Sequence, residues 1–84
     1  MYKIRYTKTA EKHIPLLKAA KLDKQVKALI EAIKVNPYQT SPSYEKLVGN
    51  FKGLLSRIIN RKHRLVYEEE KMVKVISMWT HYEF

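Results

Sequence analysis

The chain has 84 residues, 45% of them hydrophobic, and carries 17 Lys and Arg against 8 Asp and Glu for a formal net charge of +9. A chain of this length makes one domain, residues 1–84, with a thin core, since it buries only about 60–65% of its unfolded surface. It has no cysteine, which excludes disulfides and thiolate zinc sites, and no apolar run near the roughly 18 residues of a membrane span.

The elements follow in chain order. "YKIRYT" (2–7) alternates polar and apolar residues and predicts a first strand. Thr7 or Thr9 then caps a helix with Ala10, Ile14 and Leu17 on one face, and Pro15 inside it is expected to produce a kink. "KLDKQVKALIEAIKV" predicts a second helix, in which Leu22, Val26, Leu29 and Ile33 form a core stripe and lysines fill other faces. "NPYQTSPS" (36–43) is a loop, with Pro37 ending the helix. Beyond "YEKLVGNFKG" come three strand-like runs, "LLSRIIN" (54–60), "HRLVYEE" (63–69) and "KMVKVISMW" (71–79). Short connections imply antiparallel neighbours. The order β-α-α-β-β-β predicts an α+β domain, two helices on one face of an antiparallel sheet, with the other face left as a binding surface.

The first residues, "MYKIRYTKTAEKH", lack the apolar region of a signal peptide, and the absence of cysteine fits a reducing cytoplasm. The positive field attracts nucleic acid, acidic proteins or an anionic membrane surface. For so small and basic a chain, nucleic acid is the partner expected, with a merely soluble basic domain as the plainer reading.

Several chemistries drop out. Gly49 and Gly53 are the only glycines, and "GNFKGL" lacks the Gly-Lys-Ser/Thr of a phosphate loop. His13, His63 and His81 have no metal-ligand spacing, so neither metal nor other cofactor is expected. No cysteine nucleophile exists, and no serine sits in a nucleophile elbow. What remains is "RKHRLVY" (61–67) and the terminal "THYEF" (80–84). On a strand, His63, Leu65 and Tyr67 share one face, and Arg64, Val66 and Glu68 share the other. An arginine there is costly unless paired or bound to an anion. A salt bridge to Glu45 or Glu68 and a phosphate site are both open on pattern alone.

"EKLVGNFKGLLSRIINRKHRLVY", followed by a strand and a terminal His-Tyr, resembles the YoeB branch of the RelE toxin superfamily over roughly residues 45–82. The resemblance implies a bacterial toxin that cuts mRNA in the ribosomal A site, without a cofactor. It implies Glu45 as the base for the ribose 2′-OH, His81 as the acid for the 5′-oxygen, and Arg64 as the stabiliser of phosphorane-like charge. Tyr82 would orient the phosphate or base, or support the acid. Arg57, Lys46, Lys52, Arg61 and Lys62 would hold RNA phosphate. The implied partners are an acidic antitoxin of the YefM/Axe type encoded nearby, the ribosome with its mRNA, and a second copy in a homodimer.

The chain departs from the family pattern in four places. The second arginine of "SRRI" is Ile58, a lysine near the Glu-x-Leu element is Val48, and Glu83 and Phe84 follow the His-Tyr. Trp79 reads as core or as a stacking platform for a base. Two other readings stand beside the endonuclease. One is a ParE-like toxin directed at DNA gyrase, to which Ile58 gives room. The other is an RNA-binding module without catalysis.

Overall fold

In the computed structural model, residues 2–38 and 44–79 are described. The element order is β1 (Ile4–Tyr6), α1 (Lys8–Ala19), α2 (Asp23–Val35), β2 (Tyr44–Lys46), a 3-10 turn (Gly49–Phe51), β3 (Leu55–Ile58), β4 (Arg64–Glu69) and β5 (Val73–Ser77). The strands form a five-stranded sheet in the order β1-β5-β4-β3-β2.

Local chemistry accounts for the helices. The Thr7 hydroxyl accepts from the Ala10 amide at 3.0 Å and donates to the Ile76 carbonyl at 2.7 Å. One side chain thus caps α1 and ties it to β5. Helix α1 continues through Pro15 to Ala19, because its buried residues Ala10 and Leu17 stay packed in the core while one backbone bond is lost. Ile14, expected on that buried face, is exposed. Between the helices, Lys21 has φ +60. Its amide donates to the Lys18 carbonyl, and the Leu22 amide donates to Leu17. This is the left-handed helix stop that glycine usually occupies. On α2 the expected stripe lies inward: Val26, Leu29 and Ile33 are core, with Leu22 packed against them. Asn36 and Pro37 end the helix.

The helices cover one face of the sheet, and the core joins Ala10, Leu17, Val26, Leu29 and Ile33 to Leu55, Leu65, Tyr67, Val73 and Val75. The α+β reading and the order β-α-α-β-β-β therefore hold, with three differences. The sheet is mixed, because β1 runs parallel to β5, Ile4 opposite Val73. A short edge strand, β2, precedes the three expected ones and pairs Glu45 with Ser56. Finally, the β4–β5 register shifts, so that Val66 faces Ser77 while Tyr67 faces Val75. The extra residue, Ile76, breaks simple alternation. Val73 and Val75 point into the core, Ser77 turns to the opposite face, and Met78 returns to the core.

Candidate active site

The face away from the helices carries Glu45 and Arg64, two of the residues expected at the site. Register aligns Glu45, Ser56, Val66 and Ser77 in one row across β2, β3, β4 and β5. Residues directly opposite one another share a face. Two residues before Val66 on β4 stands Arg64, on that same face, directly opposite Ile58. Two strand spacings and two residue rises put the Glu45 and Arg64 backbones roughly 12 Å apart. A carboxylate and a guanidinium are thus carried on one face of the sheet, two strands apart.

Arg64 is held by the turn that precedes it. Asn60 builds this turn, its side-chain oxygen accepting from the Lys62 and His63 amides at 2.9 Å each. Nη1 of Arg64 donates to the carbonyls of Asn60, Arg61 and His63 at 2.7, 3.3 and 3.1 Å. These acceptors are neutral, so the cation keeps its full charge rather than being cancelled by Glu45 or Glu68. Among the described residues, Nε and Nη2 carry no hydrogen bond and remain for an anion. Arg61 and Lys62 are exposed on the same turn, which concentrates positive charge beside Arg64.

The other expected phosphate contacts lie elsewhere. Lys46 follows Glu45 on the strand and so points to the opposite face. With Lys52 it lines a cavity of about 450 Å³ that also includes Tyr38, Val48 and Glu69. Arg57 needs a correction. It is 1% exposed and lies on the helix side of the sheet, opposite Leu65. Its Nε donates to the Tyr67 hydroxyl at 3.0 Å and its Nη2 to the Pro37 carbonyl at 3.0 Å. The Tyr67 hydroxyl donates to the same carbonyl at 2.6 Å, and the guanidinium lies 5.4 Å from the Tyr44 ring centre. A guanidinium so enclosed holds the core to the loop after α2, and the sheet separates it from the helix-free face. Burial is the main cause raising the Tyr67 pKa, against the lowering effect of Arg57.

His81, Tyr82, Glu83 and Phe84 lie outside the described residues. The chain is described as far as Trp79, whose ring stacks on His63 with centroids 4.1 Å apart and 21° between planes. Trp79 is half-buried and packs against the core edge. Its carbonyl accepts from the Arg64 amide at 3.0 Å and pairs with His63 Nδ1 at 3.1 Å. The segment bearing His81 therefore begins beside Arg64. These contacts of His63 were not legible as spacing. The available signal was that His63 opens the strand bearing Arg64. Among the described residues, no group of His, Asp and Glu could hold a metal ion, and no helix is long and apolar enough to cross a membrane.

A profile of the YoeB-like toxins of bacterial type II toxin–antitoxin systems matches residues 11–82. The chain belongs to this family. Its match includes every residue from Glu45 to Tyr82. The chain is 39% identical over 64 residues to Toxin YoeB of Synechocystis sp., covering 75% of this chain and 74% of that protein. Its fold is similar to a YoeB/ParE toxin from Agrobacterium tumefaciens, with a TM-score of 0.85 at 26% identity over 95% of this chain and 99% of that one. It is also similar to the toxin in a YoeB–YefM complex from Staphylococcus aureus, with a TM-score of 0.81 at 29% identity over 98% and 99% of the two chains; the Staphylococcus aureus toxin also has a structure as a dimer. The YoeB-like resemblance read from the motifs is thus borne out. The second arginine of the "SRRI" pattern read from the resemblance falls at Ile58, which is 62% exposed and lies across from Arg64 on the helix-free face. A surface isoleucine stands where the family pattern has a second guanidinium.

Proposed function

We propose that this chain is a ribosome-dependent mRNA endoribonuclease that halts translation. The observation that carries the reading is the placement of Glu45 and Arg64 on the one helix-free face, two strands apart. Glu45 takes the proton from the ribose 2′-OH. That oxygen attacks the adjacent phosphorus, and the P–O5′ bond breaks to leave a 2′,3′-cyclic phosphate. His81 gives its proton to the departing O5′, and Tyr82 orients the phosphate. Arg64 supplies N–H donors to the non-bridging oxygens as charge builds on them. Positioned acid and base groups contribute about 10²–10⁴-fold each. Histidine suits the acid role because its ordinary pKa is near neutrality. Arg61 and Lys62 draw the RNA backbone toward Arg64. Lys46 and Lys52 serve as a second, separate contact with RNA phosphate.

The family membership supports an acidic antitoxin of the YefM/Axe type as partner, with its tail ordering over the basic face. The Staphylococcus aureus structures support both that partner class and a homodimer. A ribosomal substrate places the protein in the cytoplasm.

Primer extension on mRNA programmed into ribosomes tests this, using the parent protein and His81→Gln. A discrete A-site cut with the parent, reduced at least about 100-fold in the variant, is expected. No cut by the parent, while its expression still stops growth and His81→Gln is equally toxic, would replace this reading with the gyrase-directed one.

A further inference from the structure

Two histidines outside the proposed acid–base set meet the backbone just before the terminal segment. His13, on α1, accepts through Nδ1 from the Met78 amide at 3.1 Å. An accepting Nδ1 carries no hydrogen, so the ring is the neutral Nε2–H form. Burial lowers the His13 pKa and favours that neutral ring. His63 does the reverse one residue later. Its Nδ1 lies 3.1 Å from the Trp79 carbonyl, and a carbonyl only accepts, so this Nδ1 carries the hydrogen. The same oxygen accepts from the Arg64 amide, and the His63 ring stacks on the Trp79 ring. One histidine thus holds an N–H and the other a C=O of consecutive residues.

We propose that His13 and His63 are positioning residues that anchor the backbone at Met78 and Trp79, from which the segment bearing His81 departs. The inference rests on the proposed role of His81. A carbonyl held by two donors fixes the plane of the peptide group at which that segment begins. His81 lies only two residues on, within about 7 Å of chain. The shared acceptor also references the acid to Arg64, since the Arg64 amide and the Trp79 carbonyl are bonded directly. An error at this point separates the acid from the charge stabiliser, and a misplacement of about 1 Å can cost 10²-fold in rate.

The test uses His13→Ala, His63→Ala, His13→Asn and His63→Asn in the full chain. Asparagine places an oxygen or an N–H near the position of Nδ1, so it can replace either bond. Two quantities are read: the single-turnover rate of cutting ribosome-bound mRNA, and amide exchange at residues 80–82 by NMR. Each alanine variant is expected to bind ribosomes as the parent does, to cut roughly 10- to 100-fold more slowly, and to exchange faster at residues 80–82. Asparagine is expected to recover most of both. Parental cutting rates in the alanine variants would overturn the proposal, as would asparagine variants no better than alanine. Rate losses that follow the unfolded fraction in urea would mean scaffolding alone and would overturn it equally. If the parent itself makes no cut, the endonuclease reading falls, and exchange decides the anchor separately: unchanged exchange in His63→Ala overturns it, and faster exchange with asparagine recovery sustains it.

Discussion

Arg57 shows how a charged side chain becomes part of a core. Its guanidinium is enclosed with two donors satisfied by Tyr67 and Pro37 and aromatic rings alongside. Removing it opens a cavity and takes away hydrogen-bond partners deep in the sheet. Arg57→Ala is therefore expected to cost about 2–4 kcal/mol of stability, measured by urea unfolding. A residue acting only on RNA would leave that midpoint unchanged. His13 gives a second residue-level expectation. Its folded pKa lies below the ordinary value of 6.5, because burial disfavours the charged ring. The unfolded chain then binds the proton more readily than the folded one. Stability from the Met78 bond is fully present above 6.5 and is lost as pH falls through the lower folded value. Urea midpoints of the parent should drop over that window more than those of His13→Asn, which has no ring to protonate.

At the scale of elements, the turn after α1 carries a cost that substitution can relieve. Lys21 sits at φ +60 in a helix stop whose hydrogen bonds are otherwise complete. Lys21→Gly is expected to raise stability by roughly 0.5–1 kcal/mol, about 2–8 °C in Tm for a domain of this size, measured by thermal unfolding. Lys21→Ala should give no such gain. What the sequence made legible follows the same local logic. Thr7, the α2 stripe and the alternation of β4 are set by neighbours two to four residues away, and they read correctly. Strand β2 did not, because Tyr44, Glu45 and Lys46 carry no alternating apolar signal and depend on β3 for pairing. The shift at Ile76 was equally hidden, since a register break belongs to the pairing of two strands. Arg57 read as a surface cation because its partners, Pro37 and Tyr67, are 20 and 10 residues distant. Glu45 and Arg64 were legible through the family motif, whereas their common face required the register of three strands.

For the whole molecule, the net charge of +9 would, under the proposed function, govern encounter with the ribosome and with an acidic antitoxin alike. Both associations should weaken as salt rises, because each neutralised phosphate or carboxylate is screened. Ile58→Arg puts a second guanidinium directly across from Arg64. Ribosome binding, followed by co-sedimentation between about 50 and 200 mM salt, is expected to gain roughly one unit of log–log slope in that variant. An unchanged slope would place the RNA backbone away from residue 58. The pairing of β1 with β5 acts on a different axis, that of time. Ile4 finds its strand partner only in Val73, and β5 lies between β1 and β4. A polypeptide made from its amino end holds its first strand without a neighbour until residues 73–77 have emerged. No earlier fragment can close the sheet, so a prematurely terminated product has neither a finished scaffold nor the strand that leads to its last histidine. Under the proposed function, activity would therefore arise in one late step of biosynthesis, which would give an antitoxin a single, well-defined moment at which to intervene.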